Sequence, residues 1–141
     1  MSLKSRFEQP GDLIDALMIQ RIVSDREIAA ALARKGELVE FAPGKTIIEQ
    51  GGADREIYFL LAGKAQIIVN QVRLYPREKG VTVGEMSAIN PHISRAATIE
   101  AIEPTIAWKV SHTHLAEVGR EHPLIWREIA QVLAERLEQR N

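Results

Sequence analysis

A glutamate and an arginine ten residues apart have side chains of the types that bind a sugar phosphate. Glu85 follows Gly84, and Arg95 is followed by the small residues Ala96 and Ala97. A carboxylate only accepts hydrogen bonds and suits a sugar hydroxyl, whereas a guanidinium donates a planar fork that matches two oxygens of one phosphate. Glycine and alanine let backbone amides approach such an anion closely. Together these residues predict a site for a nucleotide with a monoanionic phosphate.

Taken alone, Glu85 and Arg95 also fit an ordinary ion pair on a loop. The whole stretch 83–98 favours a binding site, because residues 85–89 have the pattern of a short helical turn that interrupts a series of strands. The free amides at the start of such a turn point toward an anion.

The elements that must position this stretch fall into three parts, the first being a helical segment at residues 1–36. Asp12 is a candidate cap for one helix, and Ser24 followed by Glu27 has capping-box spacing for a second helix. Gly36 stands where a left-handed helix stop is expected.

Residues 37–110 read as short strands separated by turn residues, and they contain the stretch 83–98. Alternating apolar residues and regularly spaced glycines predict an antiparallel sandwich or barrel. A loop is expected at Pro76–Gly80, between one strand near Val72 and another near Val83. The absence of alternating strands and helices argues against a doubly wound sheet.

Residues 111–141 are predicted to be helical. Ser111 caps a first helix, and Pro123 suits the first position of a second. The second helix has an apolar stripe at Ile125, Ile129, Val132, Leu133 and Leu137. No glycine stop follows it, so we expect it to continue toward a further domain.

The composition is that of one soluble domain. The chain has 141 residues, of which 45% are hydrophobic and 26% charged. A net charge of −1 argues against general nucleic-acid binding, and the absence of cysteine excludes disulfides and thiol nucleophiles. No run is long enough for a membrane span and no signal peptide is recognisable, so we expect no membrane association and a cytoplasmic location.

The segments Gly84-Glu85-Met86-Ser87-Ala88 and Arg95-Ala96-Ala97-Thr98 resemble the phosphate-binding cassette of the cyclic nucleotide-binding domain family. The glycine-punctuated runs from Pro43 to Gly63 resemble the opening strands of that family. The resemblance covers about residues 37–139. It implies an antiparallel jelly-roll β-barrel with N-terminal helices and a C-terminal lid helix.

The resemblance also implies roles for individual residues. Glu85 would bind the ribose 2′-hydroxyl, and Arg95 would bind the exocyclic oxygens of the cyclic phosphate. The ligand-binding set is Gly84, Glu85, Met86, Ser87, Arg95, Ala96, Ala97 and Thr98. The candidates on the lid helix for covering the base are Trp126, Arg127, Leu133 and Arg136, each of which also fits core packing or a solvated surface.

The chain also resembles the N-terminal sensor half of bacterial TIR-domain antiphage effectors of the Pycsar type. That resemblance rests on residues 36–44, 50–52 and 133–141. It implies cyclic UMP or cyclic CMP as ligand and a following TIR domain that degrades NAD. Ala96 disfavours cyclic GMP, since binders of that ligand often carry threonine there. A cyclic AMP module and a degenerate module that serves only assembly remain alternatives.

Three other functions fit the residues poorly. Gly44-Lys45-Thr46 resembles the end of a P-loop, but the earlier glycine is replaced by Val39. His112 and His114 fall at a helix start rather than on strands, so no metal site is expected. A helix-turn-helix has no room after the last helix, so no DNA binding is expected. We expect no enzymatic activity from these residues, no cofactor other than the nucleotide ligand, and a homodimer or larger homo-oligomer.

Overall fold

The computed structural model describes residues 2–140 and consists of a β-rich middle flanked by helices. The helical elements are a 3₁₀ turn at Lys4–Phe7, α1 at Pro10–Leu17, α2 at Arg26–Ala33, α3 at Glu85–Ile89, α4 at His112–Glu121 and α5 at Leu124–Arg140. The strands are β1 at Glu37–Phe41, β2 at Thr46–Ile48, β3 at Ile57–Ala62, β4 at Lys64–Val69, β5 at Val72–Glu78, β6 at Thr82–Val83, β7 at Thr98–Ala101 and β8 at Thr105–Val110. The predicted fold class, mainly β with flanking helices, is confirmed.

The strands form two four-stranded antiparallel sheets, in the orders β1-β8-β3-β6 and β2-β7-β4-β5. Strands distant in sequence pair with each other, as β1 does with β8 and β2 with β7. The β4–β5 hairpin turns at Asn70 and Gln71, whose φ angles are 49° and 68°. Positive φ at both central residues is the geometry that a two-residue hairpin favours.

Strand β3 connects the two layers of the core. All of its residues are buried, and successive side chains of a strand point to opposite faces. Ile57 and Phe59 therefore pack with the helices, whereas Tyr58 and Leu60 pack against the second sheet. The strand is apolar along its whole length because both of its faces are covered.

The helix ends differ in detail from the sequence predictions. The cap of α2 is Asp25 rather than Ser24, and its carboxylate accepts a hydrogen bond of 2.9 Å from the Ile28 amide. Asp12 lies in the first turn of α1, where Gln9 is the cap residue. The prediction for Ser111 is confirmed, since its hydroxyl accepts from the His114 amide at 3.1 Å.

Gly36 is required for close packing rather than for a left-handed stop. Its φ angle is not positive. A Cβ atom there would lie 2.6 Å from the Lys109 carbonyl and 2.7 Å from Trp108 Nε1. The same indole donates a hydrogen bond of 2.9 Å to the Leu32 carbonyl, which attaches α2 to the barrel.

The loop predicted at Pro76–Gly80 is wrong in its first half. Strand β5 continues through Pro76 and ends at Glu78. β5 lies at the edge of its sheet, where proline is tolerated because the missing N–H would face outward.

No helix among residues 2–140 has both the length and the hydropathy that a membrane span requires. The 17-residue helix α5 carries charged residues along its length.

Candidate functional site

Gly84 is the residue at which the chain turns from β6 into α3. Its φ angle is +90°, a conformation that side-chain-bearing residues rarely adopt. A Cβ atom there would lie 2.7 Å from Arg95 Nη1 and 2.7 Å from the Glu56 carbonyl oxygen. Glycine therefore permits both the turn and the approach of Arg95.

Arg95 is buried beneath this turn, with 4% of the residue exposed. Its Nη1 donates to the Gly84 carbonyl at 2.9 Å, and Nη2 donates to the Glu56 carbonyl at 2.6 Å. Nε and Nη2 both donate to Asp54 Oδ2, at 3.2 Å and 2.8 Å. Four of the five N–H groups thus bind described protein atoms, which fixes the guanidinium and leaves one donor on Nη1.

The backbone of Arg95 is fixed as well. Its amide donates to the Gly52 carbonyl at 3.0 Å, and its carbonyl accepts from the Gly51 amide at 2.8 Å. These bonds attach the segment before β7 to the loop after β2, so the position of the guanidinium does not depend on its own loop alone.

Glu85 is buried, with 3% exposed, and faces the last turns of α5. Its Oε1 accepts a hydrogen bond from Arg136 Nη1, and Arg136 Nη2 donates to the Thr82 carbonyl at 2.9 Å. Glu85 Oε2 is buried without a hydrogen-bond partner among the described residues. A buried acceptor without a partner is costly, so this oxygen is suited to a hydroxyl brought by a ligand.

Two adjoining cavities meet at the cassette. The cassette cavity, about 100 Å³, borders Ser87, Ser94 and Arg95. The lid cavity, about 320 Å³, lies between the barrel and α5. It is lined by Ile67, Tyr75, Arg77, Leu133, Arg136 and Leu137. Both cavities border Gly84, Glu85, Met86, Ala97 and Ile99, so one molecule can extend from the first into the second.

A larger cavity of about 620 Å³ lies between the N-terminal helices and the barrel. It contains none of the predicted ligand-binding residues. Its charged lining includes Lys64 and Glu78, which form an ion pair at 3.1 Å. The lid and cassette cavities are therefore the ones that border the predicted ligand-binding residues.

Of the remaining predicted residues, Met86, Ser87, Ala96 and Ala97 line the cassette cavity, whereas Thr98 does not. Met86 is exposed and Ser87 is buried, and the Ser87 carbonyl accepts a hydrogen bond of 3.0 Å from Arg55 Nε. Ala96 is exposed and Ala97 half-buried. Thr98 opens β7, and its hydroxyl accepts from the Gln50 amide at 3.0 Å.

The four candidates on the lid helix separate into two pairs. Leu133 and Arg136 line the lid cavity. Trp126 lies away from it and packs over Gly119 of α4, where a Cβ atom would come within 2.2 Å of the indole ring. Arg127 is exposed on the outer face of α5.

Sequence reasoning missed several residues of the site. Asp54 orients Arg95, and Tyr75, Arg77 and Leu137 line the lid cavity. Asp54 follows a glycine pair in a loop, and Tyr75 and Arg77 alternate along an edge strand. Neither pattern differs from an ordinary polar surface, so no signal in the sequence marked these three residues. Leu137 was predicted only as part of the apolar stripe of α5.

Tyr58 lies behind the cassette and stays uncharged. Burial raises the pKa of its hydroxyl to about 12, and the nearby Glu56 and Asp54 carboxylates act in the same direction.

No three potential metal ligands cluster among the residues that the structure describes.

A model of the cyclic nucleotide-binding domain family matches residues 38–122, more than half of the chain. The chain belongs to the cyclic nucleotide-binding domain family. This confirms the resemblance on which the cassette was identified.

The relatives include Pycsar effector proteins of bacteria. One from Burkholderia cepacia is 38% identical over 129 residues, which cover 91% of this chain and 43% of the relative. One from Xanthomonas perforans is 40% identical over 130 residues, covering 92% and 43%. The chain thus spans less than half the length of these relatives.

Solved structures confirm the fold. The cAMP-bound structure of PfPKA-R has a TM-score of 0.79 at 18% identity, covering 96% of this chain and 46% of that one. The catabolite activator protein of Thermus thermophilus has a TM-score of 0.75 at 24% identity, covering 88% and 59%. At sequence identities this low, the structural similarity shows only that the fold is shared.

Proposed function

We propose that this domain is a sensor that binds a 3′,5′-cyclic pyrimidine mononucleotide, cyclic UMP or cyclic CMP. The observation that carries the proposal is that Arg95 and Glu85, both buried, line the same cavity, which adjoins the lid cavity. The similarity to Pycsar effector proteins supports the pyrimidine class of ligand.

Different residues of the cassette bind different groups of the nucleotide. Arg95 supplies a fixed positive charge and its remaining Nη1 donor to the cyclic phosphate. Backbone amides near Met86, Ser87, Ala96 and Ala97 donate to the same group. Glu85 Oε2, which is buried and has no hydrogen-bond partner among the described residues, accepts a hydrogen bond from the ribose 2′-hydroxyl.

Ligand binding is transmitted to the rest of the protein through α5. Leu133 and Arg136 line the lid cavity, and Arg136 binds Glu85 directly. A ligand that contacts this helix favours the arrangement of α5 that binds it better. In the longer protein the helix would activate a TIR domain that degrades NAD in antiphage defence.

The proposal extends to the state of the protein in the cell. The sensor acts in the cytoplasm, as a homodimer or a larger homo-oligomer. Light scattering during gel filtration, with and without ligand, measures the oligomeric state.

A calorimetric titration with cyclic UMP, CMP, AMP and GMP tests the proposal. We expect a pyrimidine ligand to bind tightest, and the matching 2′-deoxy ligand to bind about tenfold or more weakly because Glu85 loses its hydroxyl. The variant Arg95→Ala should also lose about tenfold or more, whereas Arg73→Ala, an exposed arginine of β5, should bind normally.

Other outcomes distinguish the alternatives. Preference for cyclic AMP would identify a different signalling module. Failure of all four ligands to bind folded protein, as verified by circular dichroism, would contradict the sensor function and leave assembly as the role of the domain.

A further inference from the structure

We propose that Arg55 is a positioning residue of the cassette. It holds the short helix α3 in the orientation that brings the backbone amides of Met86 and Ser87 to the cyclic phosphate. This inference rests on the proposed function, because it takes the phosphate to bind at the start of α3. Arg55 lies outside the stretch 83–98 and lines neither the cassette cavity nor the lid cavity.

Helix α3 ends with a carbonyl group that the helix itself cannot bind. In a continuing α-helix the Ser87 carbonyl would accept from the amide four residues later. That residue is Pro91, which has no N–H. Proline also disfavours a helical conformation in the residue before it, and Asn90 is extended, with φ −113° and ψ 110°. Pro91 therefore ends the helix and leaves the Ser87 carbonyl in need of another donor.

Arg55 supplies this donor from a different part of the chain. Its Nε donates to the Ser87 carbonyl at 3.0 Å. Ser87 is buried and Arg55 is half-buried. A buried carbonyl that loses its partner is costly, so this hydrogen bond favours the observed position of α3 over a displaced one.

The segment that contains Arg55 also holds the other half of the cassette. Asp54 Oδ2 accepts from Nε and Nη2 of Arg95, at 3.2 Å and 2.8 Å. The Glu56 carbonyl accepts from Nη2 at 2.6 Å. Three consecutive residues thus bind both α3 and the guanidinium, and they set the distance between the two groups that share one phosphate.

Helix α3 needs such contacts because it has only five residues. A helix this short does not hold its conformation by itself in water. Described side chains bind it at its first residue, where Arg136 donates to Glu85, and at its third, where Arg55 donates to Ser87. Loss of the second contact would let the amides at the start of the helix move away from the phosphate.

The variants Arg55→Met and Arg55→Gln test the inference by calorimetry with cyclic UMP and cyclic CMP. Both remove the charge, but glutamine keeps an N–H donor at a similar reach and methionine has none. We expect Arg55→Met to bind both ligands about tenfold more weakly, and by the same factor, because they share the phosphate. Arg55→Gln should stay within about threefold of wild type. Arg73→Met, which changes an exposed arginine of β5, is the matched control and should bind normally.

Hydrogen exchange without ligand separates positioning from direct contact with the nucleotide. The amides of Ala88 and Asn90 donate to the Gly84 and Met86 carbonyls, at 3.4 Å and 2.9 Å. In Arg55→Met these two amides should exchange faster than in wild type, whereas β3 and β8 should exchange as before. Weaker binding with unchanged exchange in α3 would indicate direct contact and overturn the inference, as would faster exchange throughout the molecule.

The binding data can contradict the inference in two further ways. Equal weakening by Arg55→Met and Arg55→Gln would show that the charge of Arg55, rather than its hydrogen bond, attracts the ligand. Unchanged binding by Arg55→Met would show that α3 keeps its orientation without Arg55. Absence of any binding by wild type would instead contradict the proposed function.

Discussion

Backbone conformation at Gly84 brings the cassette together. The residue has a φ angle of +90°, and a Cβ atom there would clash with Arg95 and Glu56. Gly44 has a φ angle of +88°, but a Cβ atom there would meet nothing within 4 Å. The two glycines share conformational strain and differ in steric contact, so a comparison between them isolates the contact with Arg95.

We predict that Gly84→Ala destabilises the protein more than Gly44→Ala does. Both variants incur the strain of a left-handed alanine, roughly 1–3 kcal/mol. Gly84→Ala adds a steric clash with Arg95, Glu56 and Ile48, about 1–3 kcal/mol further. Urea denaturation measures the difference in the free energy of unfolding. Equal losses would show that the close packing around Gly84 relaxes without cost.

Helix α5 is the element that joins the site to the rest of the molecule. Its buried residues Ile125, Ile129 and Val132 pack into the core. Farther along, Leu133 and Arg136 reach the lid cavity. The first half of the helix is thus fixed by apolar packing. Its last turns depend more on the hydrogen bonds of Arg136, one of which goes to Glu85, the residue proposed to bind the ligand.

We predict that saturating cyclic UMP slows amide hydrogen exchange in residues 132–138. In Arg136→Gln these amides should exchange faster without ligand and respond less to it, because the bonds to Glu85 and the Thr82 carbonyl are lost. Arg127→Gln changes an exposed arginine of the same helix and should behave like wild type. Unchanged exchange in wild type at saturating ligand would argue against transmission through α5.

At the scale of the whole molecule, two ion pairs link the N-terminal segment to the C-terminal helices. Arg21 binds Glu135 of α5 at 2.7 Å, and Lys35 binds Glu117 of α4 at 2.7 Å. The hydrogen bonds from these cations lower the pKa of both glutamates below the ordinary value of 4.5. Both pairs lie at the surface, so salt weakens them.

We predict a pH dependence of stability that follows from these pairs. A carboxyl group with a lowered pKa in the folded state stabilises the fold above its unfolded value, and the effect is lost as pH falls through the lowered value. The double variant Glu117→Gln/Glu135→Gln should therefore melt below wild type at pH 7, and the gap should close under acid conditions. Glu138→Gln, an exposed carboxylate on α5, is the control. A gap that persists in strong acid would show that the two pairs are not its source.

The cassette was predicted because two short segments, Gly84-Glu85-Met86-Ser87-Ala88 and Arg95-Ala96-Ala97-Thr98, resemble a known family, and such a resemblance can be recognised when the residues lie close together in the sequence. The strands and helices also followed from local patterns, apart from Pro76 and the caps of α1 and α2. Those depend on which strand lies at an edge and on which side chain reaches an amide.

Tertiary structure alone decided which distant residues complete the site. Asp54 meets Arg95 across 41 positions, and Arg136 meets Glu85 across 51. The role of Gly36 could not be predicted from the sequence for the same reason, since it depends on contact with Trp108 of β8. Such contacts arise from the pairing of sheets and the docking of α5, and a polar residue on a strand or helix surface has the same local pattern whether it faces solvent or a cavity.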